Sequence, residues 1–229
     1  MFAIGHFSVA YLVAKASASK LKTPLNMPLL LTASIIPDID LILYSLGLDH
    51  RGPTHSLITI IAFTIPLLIL YKKTFIPYFA AITSHTLIGD YFTGGTQLLW
   101  PITNQTYTAL HFKVNTPTYA LLELIPFTIS IAIMVKKGDL QKIITDKHKI
   151  ALIMPIGATV GPVLVASQNF NLQLNNVLPV SLILPSLFYL TIFSYSIIAP
   201  KLKKADNNPM EYYQDRAIVI DTNRKRDFT

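Results

Sequence analysis

The stretch LPVSLILPSLFYLTIFSYSIIA, Leu178–Ala199, runs from end to end without a charged residue. A helix rises about 1.5 Å per residue, so about 20 apolar residues cross a hydrocarbon core of ~30 Å. This stretch therefore spans a bilayer. The same pattern recurs upstream, in Phe2–Ala14, Leu25–Leu46, Ser56–Tyr71, Phe75–Phe92, Pro117–Val135 and Ile150–Ser167. Ser56–Tyr71 is short for a span and Phe2–Ala14 shorter still. Prolines at 37, 66, 126, 155, 162 and 185 interrupt several segments. A membrane bundle tolerates them, because neighbouring helices satisfy the freed carbonyls.

The whole chain agrees with this. Of its 229 residues 52% are hydrophobic and 14% charged, whereas a soluble domain carries about 25% charged residues. We expect an all-α fold, a polytopic membrane helix bundle of about six transmembrane or membrane-embedded helices. Residues 1–200 form one membrane-embedded domain, and 201–229 form a polar cytoplasmic tail. There is no cysteine, which excludes disulfides, thiolate zinc sites and a cysteine nucleophile. No cleavable signal peptide is expected, since no basic residue precedes Phe2–Ala14 and His6 lies within it.

The net charge of +7 does not indicate nucleic acid, because the basic residues cluster at the ends of apolar runs. Lys15, Lys20 and Lys22 precede the second segment, and Lys72 and Lys73 follow the third. Lys136, Lys137, Lys142, Lys147 and Lys149 link two later ones. Lys201, Lys203, Lys204, Arg216, Arg224, Lys225 and Arg226 occupy the tail. If the chain crosses at each segment, 17 of the 19 basic residues fall on one side, leaving Arg51 and Lys113 on the other. The positive-inside rule makes the larger group cytoplasmic. Gln168–Asn176 and Gly94–Thr116 are then outer loops. Trp100, Tyr107, Phe112 and Tyr119 suit an interfacial aromatic belt.

Ionisable groups interrupt the apolar segments at particular points. Pro37-Asp38-Ile39-Asp40 puts two carboxylates beside a helix-breaking proline. His50-Arg51-Gly52-Pro53-Thr54-His55-Ser56 is a polar turn, in which Thr54 can cap a helix starting near His55. His85 and Asp90 are five apart, about 140° off one α-helical face, so serving one centre requires the helix to loosen near Gly89, by unwinding or a π-bulge. Glu123 is a lone carboxylate in an apolar helix, and intramembrane carboxylates usually carry function. His6 joins the set near the N-terminus. By the lysine count these groups converge on the extracytoplasmic end. His111 and His148 lie apart from them, and the Asn104-Gln105-Thr106 sequon is a weak pattern.

Gly5-His6, Pro37-Asp38-Ile39-Asp40, the HRGPTHS run, Ser84-His85 with Asp90 and Thr93, and Leu98-Leu99-Trp100-Pro101 together resemble the YdjM-like family. It is described as LexA-linked, inner-membrane-associated and metal-dependent, with distant similarity to zinc-dependent phospholipase C. The resemblance covers about residues 1–125 and fades after about Val135. It implies hydrolysis of a phosphoester or similar bond. The family's third motif is His-x-x-x-Asp, and here one more residue stands between His85 and Asp90.

Together these readings lead us to expect a membrane-embedded metal-dependent hydrolase acting on a phosphoester or lipid-linked substrate. Imidazoles and carboxylates suit a divalent metal, zinc first, then manganese or iron. The expected ligands are His6, Asp38, Asp40, His55, His85 and Asp90. His50 and Glu123 would handle protons, and Arg51 would bind the anionic part of the substrate. The bilayer, a lipid or lipid-linked substrate and no nucleic acid are the expected partners. A transporter or ion-handling protein using the same cluster, and a non-enzymatic membrane scaffold, are the alternatives.

Overall fold

The structure, a computed structural model, describes residues 1–43, 47, 49–112, 116–160 and 177–207. The expectations placed on Lys113, on the loop Gln168–Asn176, on the end of Ile150–Ser167 and on the tail from Asn208 lie outside the described residues.

The described residues are helical and contain no strand; Thr96 and Tyr107 form an isolated antiparallel bridge. Helices α1 (Ala3–Leu21), α2 (Met27–Ala33), α3 (Ile39–Leu43), α4 (Leu57–Tyr71) and α5 (Ile76–Ser84) come first. The helices α6 (Tyr91–Thr93), α7 (Pro117–Lys137) and α8 (Asp139–Thr145) follow. The chain then forms α9 (Lys149–Val160) and α10 (Val177–Asn207). Three stretches are long and apolar enough to cross a membrane: Leu57–Thr74, Pro117–Lys137 and Leu182–Ala199. Of the other expected segments, two are broken and Phe2–Ala14 is tucked inside. Leu25–Leu46 divides at Pro37, which has no N–H to continue a helix, into α2, a 3₁₀ turn at Ile36–Asp38 and α3. Phe75–Phe92 becomes α5, a π-helical turn at His85–Asp90 and α6.

Local chemistry sets the helix ends. Asn26 caps α2, its side chain accepting the Leu29 amide, with Pro28 in the first turn. Thr116 caps α7 in the same way through the Tyr119 amide, with Pro117 at the first helical position. That helix ends at Gly138, whose φ of +67° closes it in the left-handed region, with Lys136 and Lys137 in the last turn. The cap of α4 is Ser56, not Thr54 as expected: its Oγ accepts the Ile58 amide at 3.2 Å. The Ser56 hydroxyl also reaches the carbonyls of Leu98 and Trp100. That ties the start of α4 to the 94–112 loop.

Helix α1 extends seven residues beyond its expected end at Ala14 and lies at the centre of the bundle against α5 and α7. Its small residues Ala10, Ala14 and Ala18 stand a turn apart and are buried. Phe7 meets Tyr189 and Phe193 of α10, and Phe127 of α7 meets Phe188 and Tyr189. Helix α4 turns outward, with Phe63 77% and Ile69 71% exposed. On a membrane span that surface meets lipid.

Each end of the bundle carries a polar cluster. At one end, buried Asp139 accepts Tyr11 Oη at 2.9 Å, Lys142 Nζ at 2.6 Å and Lys15 Nζ. Burial pushes the Asp139 carboxyl up, but the hydrogen bonds from Lys142, Lys15 and Tyr11 outweigh it and hold the group below the usual carboxylate range. At this end too, Asn26 Nδ2 donates to Asp146 Oδ2 at 2.7 Å, and Tyr78 Oη accepts the Asn26 amide. The opposite end of α1, α5 and α7 holds His6, His50, His55 and His85 with Asp38, Asp40 and Asp90.

Candidate metal centre

Three elements deliver the central side chains. The break at Pro37 releases Asp38 from helical register. The 3₁₀ turn Pro53–His55 delivers His55 just before α4. The π turn closes i→i+5 bonds, so His85 and Asp90, five apart, come into line. One ligand atom each from Asp38, His55, His85 and Asp90 lies within 4.8 Å of the others. His55 Nε2 is 3.1 Å from His85 Nε2. Asp90 Oδ2 is 3.1 Å and 3.2 Å from those two nitrogens, and Asp38 Oδ1 is 3.4 Å from each. His55, His85 and Asp90 are buried, and Asp38 keeps 15% of its side chain exposed.

The far side of each imidazole fixes its tautomer. His85 Nδ1 is 2.7 Å from the Ser34 carbonyl, which only accepts, so Nδ1 carries the proton. His55 Nδ1 faces Asp40 Oδ2 at 3.1 Å and Thr54 Oγ1 at 3.0 Å. The Thr54 hydroxyl proton goes to Asp40 at 2.9 Å, so His55 Nδ1 donates as well. Both Nε2 atoms of the neutral rings are then lone pairs, facing each other and two carboxylate oxygens. Asp90 Oδ2 accepts no hydrogen bond despite being buried. Four inward-facing acceptors repel one another unless a cation lies among them. Tetrahedral zinc with bonds of about 2.0–2.1 Å sets its ligands roughly 3.3 Å apart, which matches the 3.1–3.4 Å spacings here. The residues fit a divalent ion.

Around this core sit the remaining groups. Both Asp40 oxygens are engaged: Oδ1 with His50 Nδ1 at 3.0 Å, and Oδ2 with the Arg51 amide, Thr54 and His55. Asp40 thus lies behind His55; it also forms a second possible ligand group with His50 and His55. His50 is 36% exposed. Arg51 adopts a φ of +64°, uncommon for a side chain with a Cβ. That conformation aims its amide at Asp40 while its Nη2 meets Asp90 Oδ1 at 3.1 Å. Its carbonyl accepts the Gln97 amide and the Thr96 hydroxyl. A Cβ on Gly94 would overlap the Arg51 guanidinium.

His6 lies outside the four-atom group. It stacks on His85 with ring centroids 3.6 Å apart, its Nε2 3.1 Å from the Met1 carbonyl and 3.8 Å from Asp90 Oδ1. Its ring fills the space that a Cβ at residue 89 would need, so Gly89 is a glycine of close approach. Glu123 is fully buried, and its Oε1 accepts the Phe2 amide at 2.8 Å, satisfying the start of α1, which has no cap of its own. No hydrogen bond or ion pair among the described residues joins Glu123 to Asp38, His55, His85 or Asp90. His148 lies away from the cluster, in the polar network at the other end, and His111 belongs to neither possible ligand group.

A family model described as YdjM inner membrane protein matches residues 1–193. The chain belongs to that family. The match runs well beyond Val135, where the resemblance was expected to fade, and takes in α8, α9 and the first half of α10. No curated protein and no solved structure matches the chain. The family's name places its members in the inner membrane, in keeping with the three apolar spans.

Sequence reading singled out Asp40 but overlooked the Ser34 carbonyl and the bonds made by Thr54 and Thr93. The Ser34 carbonyl is invisible in a sequence, because every residue has one. Thr54 stood inside a motif already singled out, yet its hydroxyl serves Asp40 instead of a helix end. Thr93 accepts from the Met1 α-amino group and donates to the Gly89 carbonyl. Its spacing from Gly89, one helical turn, is the signal that would have found that bond.

Proposed function

We propose that this chain is a membrane-embedded, metal-dependent hydrolase acting on a phosphoester of a lipid or lipid-linked substrate. The observation that carries the reading is the convergence of Asp38 Oδ1, His55 Nε2, His85 Nε2 and Asp90 Oδ2 with both Nδ1 atoms already committed. Two imidazoles and two carboxylates favour zinc, with manganese and iron next. A divalent ion held there supplies Lewis acidity and a water-derived nucleophile near neutral pH.

The chain's own residues have distinct parts. The Ser34 carbonyl and Asp40 hold the two imidazoles in their ligating tautomers. His50, anchored by Asp40 through Nδ1 and 36% exposed, takes or gives a proton through its other ring nitrogen. Arg51 sits against Asp90 with its side chain partly exposed, where it pairs with the substrate's anionic oxygens. Asp38, the least buried member of the cluster, marks the side from which water arrives. Glu123 positions α1, and α1 carries His6 against His85.

The remaining apolar elements, α1, α2 with α3, and α5 with α6, are embedded among the spans, which keeps the total near six. The lysine-rich end faces the cytoplasm by the positive-inside rule, and the metal centre faces the opposite side. Transport is the second reading, but the ionisable groups gather at one end of the bundle, whereas inverted-repeat transporters bind near the midplane.

The deciding test is elemental analysis of detergent-purified protein, wild type beside His55→Ala/His85→Ala, followed by assay on lipid phosphoesters. Near-stoichiometric metal that disappears in the double variant, together with metal-dependent release of the headgroup, is the expected result. Wild-type protein that binds no metal after reconstitution sinks the reading.

A further inference from the structure

Between α2, α4 and α5 runs an apolar groove of about 500 Å³. Its walls are mostly apolar and include Leu29, Ile36, Leu67 and Ile82. Two features decide what can fill it. First, Leu67 and Tyr71 belong both to the groove and to α4, and they are 38% and 55% exposed. The groove is therefore continuous with the outward surface of a membrane span, and it opens to hydrocarbon instead of water. Second, its upper end adjoins the metal centre through the backbone. Ala33 precedes Ser34, whose carbonyl orients His85. Ile36 lies two residues before Asp38, and Ile82 three before His85.

Resting on the hydrolase reading above, we propose that this groove is the site for one acyl chain of a lipid substrate. Its polar head reaches Asp38 and Arg51 while the tail lies between α2 and α5. The bilayer itself supplies the occupant: a surface facing lipid is covered by lipid chains unless a protein displaces them. Only a chain whose head meets the centre has reason to thread between the helices. Burying each methylene against protein instead of bulk lipid gains little hydrophobic energy, so the groove selects by shape and by the head it leads to. Substrates with a tail should then react far better than short, water-soluble phosphoesters with the same head, through KM above all.

The test uses the full chain in phosphatidylcholine vesicles doped with phosphatidic acid carrying a diazirine on its acyl chain. Irradiation is followed by peptide mass spectrometry. Label on Leu29, Ile36 and Ile82 is expected, falling at least five-fold in Leu67→Trp, which fills the groove from an exposed position. Phe63→Trp, on the outward face of α4, should leave the groove label unchanged. Leu29→Trp, from the opposite wall, repeats the test should Leu67→Trp fold poorly; retained metal content reports folding in each. Label spread evenly over Phe63 and Ile69, label insensitive to both groove variants, or a cross-link to a second copy of the chain would overturn the proposal. Labelling requires no turnover. A missing groove label with metal and hydrolysis intact therefore removes the groove alone, and groove label without metal removes the hydrolase reading alone.

Discussion

Asp40 and Gly89 show how single residues act through others. Asp40 gives up both oxygens to donors, four in all, and one of these is His55 Nδ1. Asp40→Asn keeps the shape but exchanges one acceptor oxygen for a donor. If Asp40 orients His55, metal affinity should fall roughly 10–100-fold while saturating metal still restores full stoichiometry. Competition with a chelator of known affinity reads this directly; complete loss of stoichiometry would instead make Asp40 a ligand. Gly89→Ala drives a methyl group into the His6 ring. Overpacking of that kind costs about 1–3 kcal/mol. Thermal unfolding followed by intrinsic fluorescence in detergent should show a lowered midpoint, and relief by His6→Ala in the same chain would confirm which ring is struck.

At the scale of elements, the π turn at His85–Asp90 is the decisive local irregularity. An α-helix aligns residues four apart, and a π turn aligns those five apart. The extra residue and the altered winding offset each other. Deleting Ile88, a 42% exposed residue of this turn, gives His-x-x-x-Asp, which an ordinary α-helix sets on one face. Metal stoichiometry should survive this deletion. Inserting an alanine after Ile88 should abolish it, because neither helix type then aligns the pair. Elemental analysis of the two variants separates the outcomes, and equal loss in both would show that the turn matters for more than register. The spacing of His85 and Asp90 was legible in the sequence, and so was the need for a distortion. The second break, at Pro37, was signalled by proline itself. The true extent of α1 was not, since Lys15 and Lys20 made its second half look polar. Asp139, 124 residues on, pairs with Lys15 and allows that half into the bundle.

For the molecule as a whole, the two ends can be tested separately. The Asp139 carboxyl is held below its usual range, so it adds stability above the unfolded-state value. That contribution disappears as pH falls through the folded-state value. Asp139→Asn should therefore lower the midpoint at neutral pH and make little difference in strong acid. An effect of about 2 kcal/mol fits a buried carboxylate whose lysine partners reach solvent. Thermal melts at neutral and acid pH check the sign. Sidedness follows from a chain without cysteine: single cysteines placed at Asn104 and at Lys142 should react with impermeant maleimide from opposite faces of sealed inverted vesicles, Lys142 from the cytoplasmic one. Labelling of both from one face would reject the arrangement.

Composition alone determined that this chain lives in a bilayer, because no soluble core accommodates so many apolar residues with so few charges. The motifs also marked which side chains could gather into one polar cluster, since histidine and aspartate at membrane depth are costly unless paired or facing an ion. What only the tertiary structure decided was the division of labour among them. Asp38, His55, His85 and Asp90 turn their acceptors inward, Asp40 and the Ser34 carbonyl stand behind the imidazoles, and Glu123 serves the start of α1. A sequence fixes the identity of each group, but partners up to 128 residues apart, such as Tyr11 and Asp139, meet only when helices pack. Hydrogen-bond roles depend on those meetings.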